Sequence, residues 1–126
     1  MATPEQLREI ERAVGFRYPA TFVAAAGAFS ALLGTDRFCR VFPDSRLLVS
    51  APEVVALRET LPAALLPFLC GERASWPDIY AFELDDDRPE FRVVVWSGHA
   101  IVMDWPGFPS FLDWVHDRMN KHAHAA

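Results

Sequence analysis

Asp78-Ile79-Tyr80-Ala81-Phe82-Glu83-Leu84-Asp85-Asp86-Asp87, continued by Arg92-Val93-Val94-Val95-Trp96 and Ala100-Ile101-Val102-Met103-Asp104-Trp105, is the stretch whose reading decides the fold. Tyr80, Phe82 and Leu84 recur with the two-residue period of a strand, and Asp78 and Glu83 fall near its ends. Residues 85–89 form a polar connection. A second strand then runs from Phe91 to Trp96, Ser97-Gly98 supplies a two-residue hairpin turn, and a third strand covers Ala100 to Trp105. Three consecutive antiparallel strands are predicted.

Outward from this hairpin region the pattern changes period. Pro106-Gly107 breaks the strand, after which Phe108, Phe111, Leu112, Val115 and Met119 recur at helical spacing, with an Ala/His tail over residues 122–126. Upstream, Leu65 to Cys70 is a short apolar run suited to a buried strand. Ser50-Ala51-Pro52-Glu53 has the form of a capping box, leading into a helix carrying Val54, Leu57 and Leu61. Residues 38–49, broken by Pro43-Asp44-Ser45, read as two short strands around a turn. At the start, Thr3-Pro4-Glu5-Gln6 combines an N-cap threonine, an early proline and a capping-box glutamine; Leu7, Ile10 and Val14 form the stripe, and Gly15 the stop. Pro19 opens a second helix through Phe22, Val23 and Ala26, which ends at either Gly27 or Gly34.

Helices at both ends with strands run together between them predict an α+β fold: an antiparallel-rich sheet of about five or six strands with helices packed on one side. At 126 residues the chain is one domain over residues 1–121, and with 52% hydrophobic residues it has enough apolar material for its own core. Cys39 and Cys70 each sit in apolar surroundings and read as buried free thiols. The N-terminus has neither the basic region nor the apolar region of a secretory signal, and no apolar run reaches membrane-spanning length, so a cytoplasmic protein without membrane partners is expected.

Charge is unevenly distributed. Residues 72–104 hold eight carboxylates against three arginines, while the rest of the chain has nine residues of each sign; this one segment carries the whole net charge of −5. A field of one sign steers oppositely charged partners and repels polyanions, which argues against nucleic-acid binding. Trp76 and Trp105 stand beside prolines among these carboxylates, and aromatic residues in polar surroundings are the material of binding hot spots. The expected partner surface comprises Trp76, Asp78, Glu83, Asp85, Asp86, Asp87, Glu90, Asp104 and Trp105, with Trp96 and Trp114 assigned to packing.

Catalytic and metal patterns are weak. Asp85-Asp86-Asp87 with Glu90 lacks the alternating ligands and central glycine of a calcium loop. His116, His122 and His124 have no acidic or cysteine partner at structural-zinc spacing, and His99 belongs beside a turn. Neither cysteine is placed as a nucleophile next to a histidine. A paired role in proton transfer for Glu83 and Asp104 is outweighed by their place at strand ends. The expectation is a non-enzymatic protein without cofactor.

The order of elements resembles the SUKH superfamily. The opening helix ending at Val14-Gly15, Tyr18-Pro19 starting a second helix with Phe22, and Leu65-Leu66-Pro67-Phe68 after a middle helix match its first half. Asp78-Ile79-Tyr80-Ala81-Phe82-Glu83-Leu84, Val93-Val94-Val95-Trp96 and Ser110-Phe111-Leu112-Asp113-Trp114-Val115 match its acidic-aromatic strand, the following strand and the terminal helix. The resemblance implies an α+β fold and, for bacterial members, an immunity protein that binds and neutralises a cognate toxin, often a nuclease or another enzyme acting in the cytoplasm. Fungal members act as interaction hubs, so an interaction or signalling scaffold is the alternative.

Overall fold

The computed structural model describes residues 2–71, 78–88 and 90–125. Helix α1, Pro4–Val14, starts as its sequence predicts: the Gln6 N–H donates to Thr3 Oγ1 (3.2 Å) and the Thr3 N–H to Gln6 Oε1 (2.9 Å), which satisfies two otherwise orphaned donors. Gly15, at φ 80°, ends it and donates its N–H to the Glu11 carbonyl. Helix α2, Ala20–Leu33, runs through Gly27 and stops at Gly34, because Phe22, Ala26 and Phe29 carry the buried stripe past the first glycine.

Residues 36–41 correct the strand expected there. Asp36–Val41 is helix α3, capped by Thr35, whose hydroxyl accepts from the Phe38 N–H (3.3 Å) and donates to the Leu32 carbonyl at the end of α2 (2.7 Å). One side chain thus joins two helix ends, and Phe38, Val41 and Phe42 follow the three- and four-residue spacing of a helix face. Asp44, at φ 60°, turns the chain into β1, Ser45–Leu47. Helix α4, Ala51–Arg58, forms where expected but without the Ser50 capping box: Ser50 makes no side-chain cap bond, and the Glu53 carboxylate pairs with Arg46 of β1 at 2.6 Å.

The remaining strands are β2 (Leu65–Gly71), β3 (Asp78–Glu83), β4 (Arg92–Ser97) and β5 (Ala100–Trp105), and α5 spans Phe108–Ala125. The helix therefore continues into the residues expected to form a separate tail. Among the described residues all strand pairings are antiparallel in the order β1-β2-β3-β4-β5, giving five strands. The β4–β5 turn is Gly98-His99, one residue later than expected, with φ values of 58° and 72°. Positive φ at both positions is the pattern of a type I′ turn, which follows the sheet's twist, and Gly98 adopts it without Cβ strain.

The core is aromatic. Phe22 of α2, Phe68 of β2, Phe82 of β3, and Phe108 and Phe111 of α5 are each almost fully buried. Phe68 stacks on Phe82 with ring centroids 4.5 Å apart, and Phe22 meets Phe68, Phe82 and Phe108 edge-on at 5.1–5.4 Å. A register shift between Pro67 and Leu69 leaves Phe68 as an extra residue; Phe68 shares the inward face of Leu66, and the shift brings Leu69 to that face as well, opposite Tyr80.

Tyr18 closes the α1–α2 corner, packing on Phe22 and Phe82 at 5.0 and 5.9 Å while its N–H donates to Glu11 Oε2 (2.8 Å). Its hydroxyl is buried with no hydrogen-bond partner among the described residues. Burial, reinforced by the Glu11 charge, raises its pKa well above the ordinary tyrosine value. The folded state therefore keeps this proton to higher pH than the unfolded chain. Stability is retained below about pH 10 and falls as pH rises beyond it, where the unfolded phenol ionises first. Tyr18→Phe is expected to flatten that alkaline loss, and at neutral pH to be neutral or up to about 1 kcal/mol stabilising by urea unfolding, since an unpaired buried hydroxyl is removed.

Cys70 is buried as expected, but Cys39 is exposed because it lies on the outer face of α3 rather than in a strand. Cys39 should react with Ellman's reagent in native protein, and Cys70 only after unfolding; titration of one thiol before denaturant and two after checks this.

Candidate functional site

Alternation along the last three strands sorts the expected partner residues. Phe82 pairs with Val93 and Val93 with Trp105, so all three share the face covered by α5, whereas Glu83, Arg92 and Asp104 share the other. Trp105 is accordingly buried, 8% exposed, with its ring 5.0 Å from Phe111 and 4.9 Å from Trp114. It is a core residue, which corrects its assignment to the partner surface. Proline at 106 marks the end of the strand without placing the tryptophan outside.

Glu83 and Asp104 face outward but are not free charges. The Glu83 carboxylate takes a two-pronged contact from Arg92, 3.2 Å from Nε and 2.6 Å from Nη2, and Asp104 Oδ2 lies 2.9 Å from Nη1. One guanidinium ties the three strands β3, β4 and β5 together. Hydrogen bonding to Glu83 raises the Arg92 pKa, partial burial opposes this, and Asp104 adds to the rise. Two acids held by one arginine bind the sheet together; they are not arranged for proton transfer.

Glu90 also has a structural partner. Thr21 Oγ1 donates to its Oε1, which anchors the β3–β4 connection to the first turn of α2. A Cβ on Gly107 would come within 2.9 Å of Glu90 Cγ, so glycine there permits the approach. Asp78 is half-buried at the start of β3, opposite Gly71. Trp76 lies outside the described residues.

Asp85, Asp86 and Asp87 are exposed in a turn beside Arg88. Asp85 Oδ1 accepts from the Asp87 N–H (2.9 Å), so the first aspartate orders the turn and the other two project from it. Among the described residues no group of three or more His, Cys, Asp or Glu side chains is placed to hold a metal ion. No helix among them is long and apolar enough to cross a membrane.

An apolar feature completes this region. β5 lies at the sheet edge, and Ile101, Val102 and Met103 are 42%, 57% and 42% exposed. The register passes from Val95↔Met103 to Trp96↔Ile101, leaving Val102 as a bulged extra residue without a partner across the strand. Trp96, half-buried, stands opposite Ile101. A bulge on an edge strand interrupts the row of backbone groups that another strand would need, so this edge offers side chains more readily than strand addition. Sequence reading assigns these residues to a strand but gives no sign of their exposure, because Ile-Val-Met is equally the composition of a buried strand.

Helices α1 and α2 meet at a second concave feature, a groove of about 890 Å³ lined by Arg8, Arg12, Arg17, Tyr18 and Val23 among others. It has the opposite charge character from the aspartate turn. The chain matches no protein-family model, no curated protein and no solved structure.

Arg92→Gln should destabilise by about 1 kcal/mol, since it leaves two carboxylates near one another without their shared cation. The deficit should shrink at high salt, measured by urea unfolding at low and at 1 M sodium chloride; a salt-independent deficit would place the loss in packing.

Proposed function

We propose that this protein is a non-enzymatic immunity protein of the SUKH type, acting in the cytoplasm, which binds a cognate toxin and occludes its active site. The observation that carries the proposal is the edge of the sheet: three exposed apolar side chains of β5, Ile101 opposite half-buried Trp96, the bulged Val102, and Met103 opposite Val95 on the other face. The exposed carboxylates of the aspartate turn lie in the β3–β4 connection, at the other end of β4 from Trp96. Apolar anchors supply affinity where they are desolvated, and surrounding charge supplies orientation and association rate. Few exposed large apolar side chains occur elsewhere among the described residues, Val23 and Val55 being the others.

A nuclease fits this surface best. Its substrate groove is basic in order to hold phosphate, and an inhibitor with free aspartates can occupy that groove in place of a polyanion. Because Glu83, Asp104 and Glu90 are engaged internally, the electrostatic part of recognition is assigned to Asp85, Asp86 and Asp87, and the apolar part to β5 and Trp96.

Co-expression with the toxin encoded beside its gene should rescue growth, whereas unchanged toxicity would reject the immunity role. In a binding assay with that toxin, Asp85→Lys, Asp86→Lys and Asp87→Lys together should slow association at low salt. Val102→Asp should speed dissociation by about tenfold or more. A wild-type on-rate in the first variant would remove the aspartate turn from the interface. Stable retention of a cellular partner in cells lacking any toxin, with no rescue in cells that carry it, would identify a scaffold instead.

A further inference from the structure

The elbow between α1 and α2 is not part of the surface proposed above. Arg8 and Arg12 stand one helical turn apart on α1, and Arg17 comes from the connection to α2. All three are exposed and have no carboxylate partner among the described residues. The single acid lining the groove, Glu11, is occupied by the Tyr18 N–H at 2.8 Å. Three guanidinium groups and one hydrogen-bonded carboxylate therefore line the groove, in a chain whose net charge is −5.

The rest of the lining is apolar. Phe16 is half-buried, Val23 is 40% exposed, and Ala20 and Ala24 leave room between them. The volume of about 890 Å³ lies in the range of small-ligand pockets, which combine apolar walls with a few placed polar groups. Glu5 and Glu9, also exposed on α1, flank these arginines on the solvent side, and the groove itself borders an apolar hollow.

We propose that this groove binds a small amphipathic anion, with its phosphate or carboxylate head held by Arg8, Arg12 and Arg17 and a short apolar body lying against Phe16 and Val23. The head is held as arginine holds oxyanions generally, through paired N–H donors. The apolar body provides the burial that separates such a ligand from a free inorganic ion.

Isothermal titration of the intact protein with octyl phosphate, octanoate, inorganic phosphate and octyltrimethylammonium tests the assignment. Saturable binding of octyl phosphate or octanoate is expected, with inorganic phosphate weaker and the cation not bound. Arg12→Gln should weaken binding by about tenfold, as should Val23→Asp, while Arg40→Gln, which removes the same charge from exposed α3, should leave it unchanged. Circular dichroism identifies any variant that fails to fold, and Arg8→Gln then takes its place. Absence of saturable binding, equal affinity for inorganic phosphate, or equal weakening by Arg40→Gln would overturn the proposal.

Discussion

The stacking of Phe68 on Phe82, enclosed by Phe22 from α2 and by Phe108 and Phe111 from α5, is the contact on which the rest of the structure depends. It joins the middle of the sheet to two helices distant in sequence. Aromatic rings bury large areas and prefer edge-on or offset geometries, so a cluster of five fixes mutual orientation as well as burial. Removing one ring from such a site typically costs about 3–5 kcal/mol, a large part of the stability of a small domain.

With the inward face of β3, β4 and β5 committed to α5, the outward face is determined by the two-residue period. Trp105 turns in and Asp104 turns out; Phe82 turns in and Glu83 turns out. The outward carboxylates then meet Arg92 between them, and their charge goes into holding the strands together. This leaves a surface less acidic than the composition of residues 72–104 implies, with its free aspartates concentrated in one turn and apolar side chains on the neighbouring edge. In the proposed complex, charge would set how fast the partner arrives and the apolar edge how long it stays.

Much of this arrangement was legible in the residues. The α1 boundaries followed from Thr3, Gln6 and Gly15, whose roles are local hydrogen bonds and backbone angles. The β3–β5 strands and α5 followed from clear periodicity, and the α+β class from their order. Residues 36–41 are not legible as a helix, because Phe38-Cys39-Arg40-Val41-Phe42 fits a strand by composition and the deciding signal, the Thr35 cap, is a single side chain bonded to two helix ends. The burial of Trp105 is not legible either, because a neighbouring proline says where a strand stops and nothing about which way the last side chain points. The partners of Glu90 and Glu83 were not legible at all: Thr21 and Arg92 are brought to them by tertiary packing and strand register. The exposure of Ile101 to Met103 depends on β5 being the last strand of the sheet with a bulge at Val102, which no local pattern reveals.

Hydrogen–deuterium exchange of this protein, alone and bound to the toxin encoded beside its gene, tests the central claim most directly. The account predicts new protection confined to the aspartate turn at residues 85–88 and to the β4–β5 hairpin at residues 96–103, with no change across α3 and α4. Protection centred on those helices, with the hairpin exchanging as in the free protein, would contradict it.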